Sequence, residues 1–196
     1  MIVLPGNHEL YSDRKWRELT GNGRSASFVL GKNLILMPDT YGGITEPSYE
    51  GNGKNDNPYT PVDMDFINQA MKNHPDCDAV YLISHHFQLS RESEGFREFL
   101  KTEKRIVGLL SGHTHGSAVK DLGEEFSGLT LAQTGSFVAA GAQDAAHFNW
   151  GFRELLIRAD GTAESRYIVP ANEFYAEGQR HTSAYKLNDG VTYPTR

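Results

Sequence analysis

The chain has 196 residues, enough for one domain with a sizeable core, and 38% hydrophobic against 22% charged residues is an ordinary globular balance. No apolar run approaches the length of a membrane span, and the opening MIVLPGNHEL lacks the basic and apolar regions of a secretory signal. A net charge of −6 with no Lys/Arg cluster argues against a nucleic-acid surface, and the lone Cys77 excludes an internal disulfide and fits a reducing, cytoplasmic setting.

Ile2 to Pro5 is a short apolar run that ends in Gly6-Asn7-His8-Glu9, which predicts a buried strand stopping at a turn. Asp13 to Leu19 predicts a short helix, and Ser25 to Leu30 with Leu34 to Met37 predicts a hairpin around Gly31-Lys32-Asn33. Tyr41 to Pro61 is rich in Gly, Asn and Pro and reads as a long loop, with Tyr49 and Tyr59 placed to rim a substrate. Val62 to Asn73 has helical apolar spacing and leads through His74, a helix end, to the apolar run Ala79 to Ile83. Ser90 to Thr102 predicts a further helix with Phe96, Phe99 and Leu100 on its apolar face. Strands are predicted at Ile106 to Leu110, Leu129 to Ala132, Gly151 to Arg158 and Ala163 to Val169, the last two joined by the turn Ala159-Asp160-Gly161-Thr162. Alternating strands and helices followed by a run of strands predict an α/β domain with at least one mixed sheet. The domain is expected to cover residues 1–170, with 171–196 a polar extension of no assigned structure.

The chemistry collects at three predicted strand ends. Ile2 to Pro5 runs into Asn7 and His8, Ala79 to Ile83 into His85 and His86, and Ile106 to Leu110 into His113 and His115. Five of the eight histidines lie there. In open α/β sheets ligands bind beyond the carboxyl ends of strands, so these side chains are expected in one crevice. A single histidine after a strand is ordinarily a hydrogen-bonded loop residue. His113 and His115, two apart in an extended chain, face the same side, and three such ends in order are hard to explain as packing.

Gly6-Asn7-His8-Glu9, a histidine after a later strand, and Gly112-His113-Thr114-His115 resemble the third, fourth and fifth motifs of calcineurin-like metallophosphoesterases. The resemblance extends to about Val169. It implies an αββα sandwich of two mixed sheets and a phosphomonoester or phosphodiester substrate. It also implies two divalent transition-metal ions of the Mn, Fe, Zn or Ni type, which imidazole suits better than Mg or Ca. Asn7, His85 and His113 would hold one ion and His115 the other. His8 would stand beside the scissile phosphate as the catalytic acid. His85 takes the ligand role over His86 because the family's ligand is the first residue after the strand. His86 is left as a substrate-side residue, although Phe87 departs from the proline frequent in the family. Glu9 matches the pattern without a ligand role and reads as a helix cap. Paired metals can bind both the attacking and the leaving oxygen of a phosphoryl centre.

The first two motifs of that family, Asp-x-His and Gly-Asp-x-x-Asp, occur nowhere in the chain. The expectation is therefore an N-terminally incomplete site that holds one ion, with the rest supplied by an upstream segment or a partner chain. Asp39, Asp63 and Asp65 are possible substitutes but read more simply as a strand end and a helix start. His147, Asn149 and Trp150 read as packing residues. Two other functions compete with hydrolysis of a small phosphoester. One is a non-catalytic scaffold of the same fold, and the other is a nuclease, which the acidic balance disfavours.

Overall fold

The computed structural model describes residues 1–42, 58–114, 116–135, 152–158, 162–168 and 191–193. The chain divides into two compact units, Met1–Ile106 and Val107–Arg196.

In the first unit, each helix starts where a short polar side chain can take an orphan backbone N–H. Ser12 accepts from Lys15 N at the head of α1 (Asp13–Thr20), Asp63 from Asp65 N before α2 (Met64–Asn73), and Ser93 from Phe96 N before α3 (Glu94–Thr102). Gly21, with φ 79°, ends α1 in the left-handed conformation that glycine adopts without strain, and His74 ends α2 as expected. The helix expected over Ser90 to Thr102 is shorter, because Glu92 and Ser93 are extended behind a 3-10 turn at Leu89–Arg91. Glu92 is buried with its carboxylate on Tyr59 and Val62, and that reach breaks the helix.

The hairpin forms as expected. β1 (Ala26–Leu30) pairs antiparallel with β2 (Asn33–Met37), and the two-residue loop Gly31-Lys32 has Gly31 at φ 62°. β2 pairs parallel with β3 (Ala79–Ser84). All five residues of β2 are buried, as in a strand covered on both faces. Leu34, Leu36, Val80, Leu82, Ile67 and Phe96 are fully buried, and each such side chain contributes about 2 kcal/mol.

Ile2 to Pro5 is not a strand. Among the described residues no backbone ladder reaches it. The Asn22 side chain instead binds both polar groups of Val3, donating to its carbonyl at 3.0 Å and accepting from its N–H at 3.3 Å.

β4 (Ile106–Ser111), buried along its length, begins at the last residue of the first unit, and the second unit goes on with β5 (Ala118–Asp121) and β6 (Thr130–Gln133). β6 pairs parallel with β4 and antiparallel with β5. The strand order β1-β2-β3-β4-β6-β5 makes one mixed sheet of six. A second sheet, β7 (Phe152–Ile157), β8 (Ala163–Ile168) and β9 (Val191–Tyr193), is antiparallel at both described pairings, where a mixed sheet was expected. Strands joined by a short connection, as β7 and β8 are, pair antiparallel. The turn residues 159–161 lie outside the described residues. β9 comes from the stretch beyond residue 171 for which no element was expected. Its Tyr193 is buried, with its hydroxyl on Ser165 and its ring against Gly108, and burial raises the phenol's pKa.

A Cβ at Gly108 would fall well inside van der Waals contact of the Tyr193 ring. Gly108→Ala is expected to lower stability by about 2 kcal/mol, with much of that loss absent in a Tyr193→Ala background. Urea unfolding of the four-member cycle measures it, and additive losses would show that the ring is not the constraint.

Candidate functional site

The turn after Pro5 is closed twice. Glu9 N–H donates to Gly6 O at 3.3 Å, and Gly6 N–H donates back to the Glu9 carboxylate at 2.5 Å. Glu9 therefore fastens the turn that carries Asn7 and His8. It does not cap a helix, since Ser12 caps α1. The His85 ring lies directly on this turn. A Cβ at Gly6 would sit 2.7 Å from His85 Cε1 and 2.8 Å from its Nδ1, so the ring occupies the space a side chain would need.

With the ring so placed, His85 Nε2 lies 3.0 Å from Asn7 Oδ1, across 78 positions of sequence. An amide oxygen only accepts, so Nε2–H donates. The Asn7 amide nitrogen in turn donates to His8 Nε2 at 3.3 Å. Asn7 is buried, His85 half-buried and His8 exposed. Three of the residues expected together are thus gathered.

The turn is tied to the loop after β2 by Arg24, 5% exposed. Its Nε donates to Asp39 Oδ2 at 2.6 Å, Nη1 to the carbonyls of Tyr11 at 3.0 Å and Glu9 at 3.3 Å, and Nη2 to that of Tyr41 at 3.1 Å. Burial raises the Asp39 pKa, with Arg24 pulling the other way. Tyr41 is buried, stands edge-on to His85 with centroids 5.5 Å apart, and places its hydroxyl 3.1 Å from His86 Nδ1. Sequence reasoning missed Arg24 and Tyr41, and neither carries a motif.

Tyr59, expected on a rim, is buried. Its ring meets Tyr41 and His86 edge-on, and its hydroxyl donates to Glu92 and accepts from Gln88 N–H at 3.1 Å. Burial pushes the Glu92 carboxyl up, and burial together with Glu92 pushes the Tyr59 phenol far up. Asp39 and Asp63 are committed to Arg24 and to the cap of α2, and Asp65 lies in that helix's first turn. Phe87 is buried and stacks on Phe96 at 6.2 Å, and Cys77 is a buried thiol.

His113 belongs to the second unit and follows β4. Its φ of 67° lies in the left-handed region, uncommon for any residue but glycine. Thr114 N–H donates to Gly112 O at 2.8 Å, closing a γ-turn with His113 at its apex. Just before it, Ser111 Oγ is buried with no hydrogen-bond partner among the described residues. His115, Tyr49, His147, Asn149 and Trp150 lie outside the described residues.

Among the described residues, no group of three or more His, Cys, Asp or Glu side chains is gathered to hold a metal ion. The mixed pair Asn7 and His85 nevertheless fits one. Donor atoms at bond lengths of about 2.1 Å and a right angle are about 3.0 Å apart. A cation there would replace the proton on His85 Nε2. Also among the described residues, no helix is long and apolar enough to cross a membrane. No protein-family model matches the chain, and no curated protein matches it.

Gly6→Ala is expected to push the His85 ring off the turn and to lower stability by about 1–3 kcal/mol in urea unfolding. An unchanged stability would mean that the ring does not fill the space above Gly6. At the γ-turn, His113→Gly is expected to be more stable than His113→Ala by about 1 kcal/mol in urea unfolding. The reverse order would remove the left-handed strain.

Proposed function

We propose that this chain carries part of a metal-dependent phosphoesterase site of the calcineurin-like metallophosphoesterase kind, in an αββα sandwich, acting on a phosphomonoester or phosphodiester. The observation that carries this reading is the 3.0 Å approach of Asn7 Oδ1 and His85 Nε2, two ligand-type atoms from distant segments of the first unit. In this reading Asn7, His85 and His113 hold one divalent transition metal and His115 contributes to a second. Bound cations would supply Lewis acidity toward a phosphoryl oxygen.

The protein's own part is positioning and proton transfer. The doubly closed turn fixes Asn7, and the Asn7 amide holds the exposed His8 ring by its Nε2. In that place His8 can carry a proton to a departing oxygen, which is what general-acid catalysis requires. The protein also orients His85, through the glycine beneath its ring and the Tyr41 edge beside it.

A second reading, a non-catalytic module of the same fold, is favoured by one observation: Asp-x-His and Gly-Asp are absent from all 196 residues. One experiment separates the two. Metal content by mass spectrometry is measured alongside turnover of an aryl phosphodiester and monoester in Mn²⁺. The enzyme reading expects about one metal per chain, lost in Asn7→Ala and His85→Ala. One metal per chain without turnover marks a half-built site, and turnover is then expected once the upstream segment or partner chain is supplied, falling about a hundredfold or more in His8→Ala while the metal stays bound. Metal that is retained with no turnover even then supports the module. Metal content unaffected by Asn7→Ala and His85→Ala removes the site altogether.

A further inference from the structure

Gln88 stands between an arginine and a histidine, and that placement fixes the direction of its amide. Arg91 Nη1 lies 3.4 Å from one arm of the Gln88 amide, and His86 Nδ1 lies 3.2 Å from the other. A guanidinium has hydrogens to give and no lone pair to offer, so the arm facing Arg91 is the carbonyl Oε1. The arm facing His86 is then the amino group, which only donates. His86 Nδ1 must receive that hydrogen on a lone pair, and the imidazole proton resides on Nε2. The Tyr41 hydroxyl, 3.1 Å from the same Nδ1, is able to donate there too. Arg91 is itself held in place, with Cζ 5.5 Å over the ring of the buried Tyr59. Tyr59 is pinned by Glu92 and by the Gln88 backbone, so the relay rests on a fixed base.

We propose that Gln88 and Arg91 are positioning residues that lock His86 as its neutral Nε2–H tautomer. Nε2–H of His86 is then a hydrogen-bond donor, a group that suits a phosphoryl oxygen and does not suit a ligand N–H. The relay follows from donor and acceptor chemistry alone, whereas its use toward a phosphoryl group rests on the phosphoesterase reading. No motif marks Gln88 or Arg91, and because a free imidazole already favours Nε2–H modestly, the two variants rather than the resting tautomer carry the test.

The test is long-range ¹H–¹⁵N NMR of the full chain above the histidine titration range, with the His86 signals identified by their loss in His86→Gln. The expected result is an unprotonated Nδ1 and a protonated Nε2. Gln88→Glu replaces the donor facing Nδ1 with an acceptor and is expected to draw the proton to Nδ1. Arg91→Met changes an exposed side chain, so the fold is not at risk. It frees the amide to turn over, and the tautomer ratio is expected to shift about fivefold, the worth of one hydrogen bond. A protonated Nδ1 in the unaltered protein, or a ratio unmoved in both variants, overturns the relay. Inorganic phosphate is then titrated into the unaltered protein. A response at His86 Nε2 supports its role as a phosphoryl donor. An intact relay with no response overturns the phosphoester assignment and leaves the tautomer assignment standing.

Discussion

Arg24 lies at 5% exposure with a carboxylate and three carbonyls around its guanidinium. Burying a guanidinium costs on the order of several kcal/mol, which only a nearly complete set of acceptors offsets. Meeting that requirement brings two loops together, the one after Pro5 and the one after β2. The first delivers Asn7 and His8, and the second delivers the Tyr41 that abuts His85 and bonds to His86. The site residues of the first unit are thus held by a charge that touches none of them.

What gathers around Asn7 and His85 is a chain of directed hydrogen bonds. Proton position along it is set by groups with no choice: an amide oxygen that only accepts and an amide nitrogen that only donates. The same logic operates at His86 through Gln88. Two neighbouring histidines are therefore given distinct chemical faces by unrelated partners, which a reading of residue types cannot supply. The buried Tyr59 and Glu92 complete the arrangement from below.

Much of the fold was legible because it follows local rules. Asp13 to Leu19 and Val62 to Asn73 read as helices, Gly31-Lys32-Asn33 marks the hairpin, and Ala79 to Ile83 is an apolar run of strand length. The failures have physical causes. Ile2 to Pro5 has strand composition, but a strand needs a ladder, and among the described residues it is the Asn22 side chain that bonds Val3. β5 is four residues with little alternation, and β9 is three residues whose pairing depends on Tyr193 filling the space above Gly108. The break at Glu92 comes from a tertiary contact that overrides helical periodicity. Asn7, His8 and His85, expected together, are brought together, Asn7 and His8 from a turn that follows no strand. Arg24, Tyr41 and Gln88 were not readable, because a residue that orients another shows no pattern in one dimension.

His113 has a backbone shape that glycine adopts at lower cost than histidine. Random substitution at such a position meets a slope. Changes toward glycine relax the turn, and thermodynamic stability alone offers no reason for an imidazole to return. A lineage kept only for its fold would therefore be expected to shed the histidine early, sooner than it would shed a well-packed neighbour such as Leu109 or Leu110. Where the histidine persists at residue 113 in diverging copies of this gene, something other than the stability of the γ-turn keeps it there.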